Sequence, residues 1–231
     1  MSALAEITPV GEELLDDPAA DPALVRRSLE NIAVANRLFG GVAAARYGVD
    51  RLLRGRRAAS VSLLDVGTGL GDVPRALGSH WARRGVALRA TGIERNPTAA
   101  RLATGRGVPT VTGDGLRLPF ANRSVDIVLL CQIAHHFGPD GIAQLAAEAT
   151  RVARVGVVLA DLERSHLARW GFAVASRMLR FDPATVADGV TSVKRGFRVA
   201  ELTAHLARAG VVAECVRRPG WRVVATWSVS P

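Results

Sequence analysis

A chain of 231 residues, 48% of them hydrophobic, holds enough material for one sizeable α/β core and too little for several. No stretch reaches the roughly 18 uninterrupted apolar residues of a membrane span. The first residues, Met1 to Pro22, are acidic and lack the basic-then-apolar order of a signal peptide, so a cytoplasmic location is expected. The formal charge of +9 invites a polyanionic partner. The arginines are nevertheless spread along the chain and aromatic residues for base stacking are few, which argues against nucleic acid.

In chain order, Met1 to Ala20 reads as a loose lead-in. Asp21-Pro22 then gives an N-cap with proline at the first helical position, and the helix ends at Gly40-Gly41. A second helical stretch, Val42 to Leu53, leads to the basic linker Arg54 to Arg57; Asn31, Asn36 and Arg37 are its neighbours' notable polar residues. From Val61 strands and helices alternate. Strands are expected at Val61–Val66, Ala87–Ile93, Val108–Thr112, Val125–Cys131 and Val155–Ala160, with helices over Val73–Arg84, from Pro97 and over Asp140–Ala153. Such alternation builds a parallel sheet with helices on both faces. Leu162 to Val193 breaks the alternation with an apolar helical portion and a break at Asp182-Pro183. A helix over Phe197–Ala209 follows, then strands Val211–Val216 and Arg222–Val229 around the Pro219-Gly220 turn. The expected division is an N-terminal helical lid or extension over 1–57 and a main domain over 58–231, with the insertion 162–197 as a cap.

The polar residues gather where strands end, the place where such sheets bind ligands. Asp65 enters a loop with three alternate glycines, Gly67, Gly69 and Gly71, and Thr68 among them. Glycines there let backbone approach a ligand closely. A dinucleotide fingerprint would place the third glycine one position later, and Asp65 would repel a pyrophosphate. A ligand with a cationic amine and hydroxyls suits this loop better than NAD. Glu94 ends the second strand, where a carboxylate can accept both ribose hydroxyls, and Arg95 follows it. Asp114 lies after the third strand between glycines, positioned for an adenine amine or simply for a turn. Past the fourth strand comes Gln132-Ile133-Ala134-His135-His136, and histidine moves protons near neutral pH. His135 or His136 is the candidate base, with loop anchoring as the equal alternative. His166 is a further candidate, with surface duty the simpler role. Asp161 is read as orienting an acceptor or pairing with Arg164. Cys131 and Cys215 have no metal-ligand spacing and read as reduced thiols in or near the core; no metal is expected.

Asp65 to Asp72, Glu94, Asp114, Leu118-Pro119-Phe120 and the strand Val125 to Leu130, taken together, resemble class I S-adenosylmethionine-dependent methyltransferases. The resemblance is to the small-molecule branch that includes quinone and aromatic polyketide methyltransferases, and it covers about Val61 to Asp161. It implies a Rossmann-like, doubly wound, mostly parallel seven-stranded sheet with an antiparallel last strand. It implies that Gly67, Thr68, Gly69 and Gly71 pack against S-adenosyl-L-methionine, with Asp65 near its amine and Glu94 and Arg95 at the ribose. Asp114, Gly115 and Leu116 would meet the adenine, and the Cys131 carbonyl the methionine portion; the product would be S-adenosyl-L-homocysteine. The acceptor is expected to be a small apolar molecule, with Trp170, Phe172, Met178, Leu179 and Phe181 either lining its pocket or merely burying the insertion helix. Methylation at oxygen is preferred over carbon. A nucleic-acid methyltransferase is disfavoured because the fourth strand ends in Leu-Cys-Gln-Ile. A non-catalytic cofactor-binding protein and an NAD oxidoreductase rank lower, and monomer or homodimer is left open.

Overall fold

The structure is a computed structural model describing residues 15, 17, 19–56 and 58–229, so most of the expected lead-in lies outside the described residues. Asp21 accepts the Ala23 N–H at 2.7 Å and Pro22 opens α1 (Pro22–Leu38). Gly40 turns the chain in a left-handed conformation into α2 (Gly41–Leu52). A side chain at Gly40 would also strike the Pro219 carbonyl at 2.7 Å, so this junction sits directly on the turn near the C-terminus.

The alternating part runs β1 (Ser60–Val66), α3 (Asp72–Ala82), β2 (Ala87–Glu94), α4 (Pro97–Gly105), β3 (Thr110–Thr112), β4 (Val125–Cys131), α5 (Pro139–Val152) and β5 (Ala153–Leu162). Then come α6 (His166–Met178), α7 (Pro183–Arg195), α8 (Val199–Arg208), β6 (Glu214–Arg218) and β7 (Arg222–Ser228). The seven-stranded sheet has the order β3-β2-β1-β4-β5-β7-β6. The pairs from β3 to β5 are parallel, while β7 runs antiparallel to both β5 and β6. The sequence expects this Rossmann-like sheet with its antiparallel last strand. The order reverses between β1 and β4, which opens a crevice at their carboxyl ends.

Two strands start later than their apolar runs suggest, for one reason. Gly107 and Gly210 both have positive φ and close α4 and α8. The next residue in each case, Val108 or Val211, donates its N–H back to the helix, to Ala103 at 3.1 Å and Leu206 at 2.9 Å. Each valine is therefore the buried apolar residue that completes a helix C-terminus. The insertion is two helices, because Asp182 caps α7 through the Ala184 N–H at 3.0 Å.

Two apolar layers hold the sheet. Leu64, Leu130 and Leu159 meet Leu145 of α5 and Leu202 of α8 on one face. On the other, Leu63, Leu129 and Val158 meet Ala45 and Val49 of α2 and Leu77 of α3. Gly48 lets α2 lie this close, since a Cβ there would fall 2.3 Å from the Val158 side chain. Gly48→Ala is expected to destabilise the chain by up to about 2 kcal/mol. Overpacking costs about 1–3 kcal/mol and outweighs a helix-propensity gain of about 1 kcal/mol. Urea denaturation measures the net sign.

Candidate active site

The loop after β1 is built by glycine. Gly67, Gly69 and Gly71 all have positive φ, at 71°, 53° and 69°. Cβ atoms at Gly67 and Gly71 would come within 2.9 Å of Ile133 and 2.8 Å of Val108, so side chains are excluded twice over. Asp65 is buried beneath this loop. Its Oδ2 accepts the Thr68 hydroxyl at 2.7 Å, and its Oδ1 has no hydrogen-bond partner among the described residues. Burial pushes the Asp65 carboxyl up to about 7; the Thr68 hydroxyl works against this, and the charges of Asp72 and Glu94 add to it.

Glu94 stands at the end of β2 and faces the loop. Its carboxylate accepts the Gly69 N–H at 2.9 Å and the Asn96 N–H at 3.2 Å. Asp114 is exposed beyond β3 and takes the Leu116 N–H at 2.9 Å, the turn arrangement of an aspartate between glycines. Gly115 packs closely, since its Cβ would lie 2.9 Å from Val66. Arg95 is exposed and makes no hydrogen bond to this group among the described residues. Cys131 closes β4 with its thiol buried, and burial pushes that thiol's pKa well up, so it is inert as a nucleophile.

A single 3₁₀ turn, Ala134–His136, follows β4. It brings the His135 ring Nδ1 to 2.7 Å from Asp161 Oδ1, with both side chains buried. Asp161 also accepts the Leu162 N–H at 2.7 Å and the His135 N–H at 3.3 Å. Burial alone would raise the Asp161 carboxyl, but the His135 ring and these bonds outweigh it and hold it below the ordinary carboxylate range. An ionised carboxylate only accepts, so Nδ1 carries a proton, and in the neutral ring the lone pair is then on Nε2. That Nε2 is buried and has no hydrogen-bond partner among the described residues. The His136 ring lies against His135 at 4.3 Å between centroids. Of the two expectations for Asp161, the pairing with Arg164 is corrected, because Arg164 bonds Glu201 and the Gly196 carbonyl instead.

The family described as "Methyltransferase domain" matches residues 64–160, the span from β1 through β5 that carries Asp65, the glycine loop, Glu94, Asp114, Cys131 and His135 and stops one residue before Asp161. Residues 64–160 are thus similar to a methyltransferase domain. An "Uncharacterized methyltransferase" of Mycobacterium avium (strain 104) is 39% identical over 129 residues, 52% of this chain and 47% of that protein. A second, from Mycobacterium marinum, is 37% identical over 107 residues, 45% of this chain and 39% of its own length. The chain thus spans less than half the length of the curated relatives it matches. In fold it is similar to a SAM-dependent methyltransferase from Aquifex aeolicus, with a TM-score of 0.62 and 14% identity, over 91% of this chain and 99% of that one.

S-adenosylmethionine is the cofactor that the resemblance implies, and the residues present fit it. Asp65 Oδ1, buried and without a donor, suits a cationic amine. The carboxylate of Glu94, half-buried at the mouth of the glycine loop, suits a pair of hydroxyls. The sequence missed one network beside them. Asp72 accepts the Asn36 amide at 3.1 Å; Gln132 bonds Asn36; and Arg222, buried, donates to Gln132 at 3.1 Å and to the Phe39 carbonyl at 3.1 Å. This chain of bonds ties α1 across the mouth of the domain to β4 and β7. Its signal in the sequence was Asn36, one of the notable polar residues of the first helices, and the structure adds Gln132, whose positive φ of 54° is uncommon for a non-glycine residue.

The apolar lining expected from the insertion is corrected. Trp170 and Met178 on α6, and Leu179 at its C-terminal cap, are exposed rather than turned inward. Phe172 packs edge-on against Phe39, 6.0 Å between ring centroids, and Phe181 is buried. Asn31 of α1 reaches Thr185 of α7 at 3.3 Å, so α1 and α7 meet above the site. His166 is exposed at the start of α6.

Proposed function

We propose that this chain transfers a methyl group to an oxygen of a small apolar acceptor, of phenolic or enolic type, with His135 as the general base. The observation that carries this reading is the buried His135–Asp161 pair, with Nε2 buried and without a hydrogen-bond partner among the described residues. S-adenosylmethionine supplies an electrophilic methyl group on a sulfonium, which leaves readily. The protein's work is then to orient the acceptor and take its proton. His135 Nε2 receives the proton from the acceptor hydroxyl, and Asp161 holds the ring and balances the imidazolium charge that results. Asp65 takes the cofactor's amine, Gly67, Gly69 and Gly71 give it room, and Glu94 takes the ribose hydroxyls. Asp114, Gly115 and Leu116 border the adenine end. Carbon methylation would use the same base, so the product distinguishes the two.

The test is transfer of label from S-adenosylmethionine to a panel of phenols and hydroxyquinones, with the methylated atom identified by mass spectrometry and NMR. Transfer to an oxygen is expected, and Glu94→Ala is expected to weaken S-adenosylhomocysteine binding by about 1–3 kcal/mol in calorimetry. Cofactor affinity indifferent to Glu94 would overturn the placement of the ribose.

A further inference from the structure

The α6 helix turns its most apolar row to solvent. Leu167, Trp170, Val174 and Met178 follow at helical spacing along one face, with fractional exposures of 61%, 67%, 39% and 79%. The opposite side, with Ala168 and Ser176, is the one that is buried. Isolated exposed apolar residues are ordinary, but a continuous row of this length marks a contact surface.

The first turn of this row opens onto a cavity of about 950 Å³ whose lining is cationic. Arg169, Lys194, Arg198 and Arg218 line it together with Trp221, and Leu167 belongs to both features. The carboxylates nearby are already matched inside the chain, Glu163 with Arg217 and Glu201 with Arg164. Arg169, Lys194 and Arg198 have no carboxylate partner among the described residues, and the Arg218 guanidinium lies 4.0 Å from the Tyr47 ring centroid. Arg177 stands two turns beyond Trp170 on the same side of α6, so positive charge borders the row at both ends.

We infer that this face docks on the surface of an anionic phospholipid bilayer, with the α6 row in the interface and lipid phosphates at the cationic cavity. An apolar row bordered by arginine is the composition of a helix lying in a membrane interface, and Trp170 is the side chain best suited to that depth. Charge selects this occupant over a second copy of the chain. A two-fold contact buries the same patch on both copies, and among the described residues this patch brings cations with no free carboxylate to meet them, whereas anionic headgroups complement them. No helix among the described residues is long and apolar enough to cross a membrane, so the contact is peripheral.

The full chain is tested by flotation with vesicles of phosphatidylcholine alone and of equal parts phosphatidylcholine and phosphatidylglycerol, with light scattering in parallel. Binding is expected to the mixed vesicles only and to weaken as salt rises. The exposed pair Trp170→Ser/Met178→Ser and the pair Arg169→Ser/Arg198→Ser should each lower binding by roughly tenfold or more, with circular dichroism unchanged. No binding to mixed vesicles, equal binding to both kinds, or binding indifferent to either pair overturns the inference. Self-association that Trp170→Ser abolishes also overturns it, and gives the face to a second copy.

Discussion

His135→Ala is expected to lower kcat for methyl transfer by about 10²–10⁴-fold while leaving S-adenosylhomocysteine affinity nearly unchanged. The size of the effect follows from what the ring does. Nδ1 is fixed as the protonated nitrogen by Asp161 at 2.7 Å, so the lone pair at Nε2 is held ready rather than found by tautomeric exchange. Removing the ring removes the proton's destination. Asp161 touches neither acceptor nor cofactor in this scheme, and it is a positioning residue. Asp161→Asn keeps the shape but loses the charge that stabilises the imidazolium. The acid limb of the kcat profile should therefore move to lower pH as well as the rate falling, a movement that a merely structural role would not produce. A His135→Ala enzyme retaining most of its kcat would return both histidines to the role of loop anchors.

The glycine loop, Glu94 and the strand Val125–Cys131 were legible because each is encoded locally. An apolar run, a turn that only glycine tolerates and an acid at a strand end are all properties of neighbouring residues. The His135–Asp161 pair was not legible, because it depends on which strands lie side by side. Its two members come together through the β4–β5 pairing, in which Cys131 stands opposite Ala160. Sequence alternation fixes neither strand order nor register. Arg164 looked like the natural partner of Asp161 because it is three residues away, but the bridge between Glu163 and Phe197 turns Arg164 toward α8. The α6 row shows a different limit. Periodicity identified which apolar residues share a face, yet it does not say that the face is inward. Here the inward side is small and partly polar, and the large residues are outside.

Asp65→Asn is expected to make the cofactor-free chain more stable than wild type at pH 8 while removing most of its cofactor affinity. The Asp65 carboxyl is buried and titrates at about 7, against an ordinary value of 3.8. Between those two values the folded chain holds a proton that the unfolded chain has released, so this group's contribution to stability falls as pH rises through the window. A shift of about three units corresponds to roughly 4 kcal/mol, lost in full above pH about 7. Urea denaturation at pH 5 and pH 8 should show wild type losing more stability than Asp65→Asn over that interval, and parallel losses would contradict the account. Cofactor binding draws on the same strain with the opposite sign. A cationic amine at Oδ1 favours the carboxylate, so binding below pH 7 must expel the proton. Wild-type affinity for S-adenosylhomocysteine should then rise about tenfold per pH unit up to 7 and level off above it, with a proton released to the buffer. In Asp65→Asn the affinity should be weak and flat with pH. A carboxylate that destabilises the empty fold is thus the group that gives the bound amine its hold, and stability and cofactor affinity pull against each other at one atom, Asp65 Oδ1.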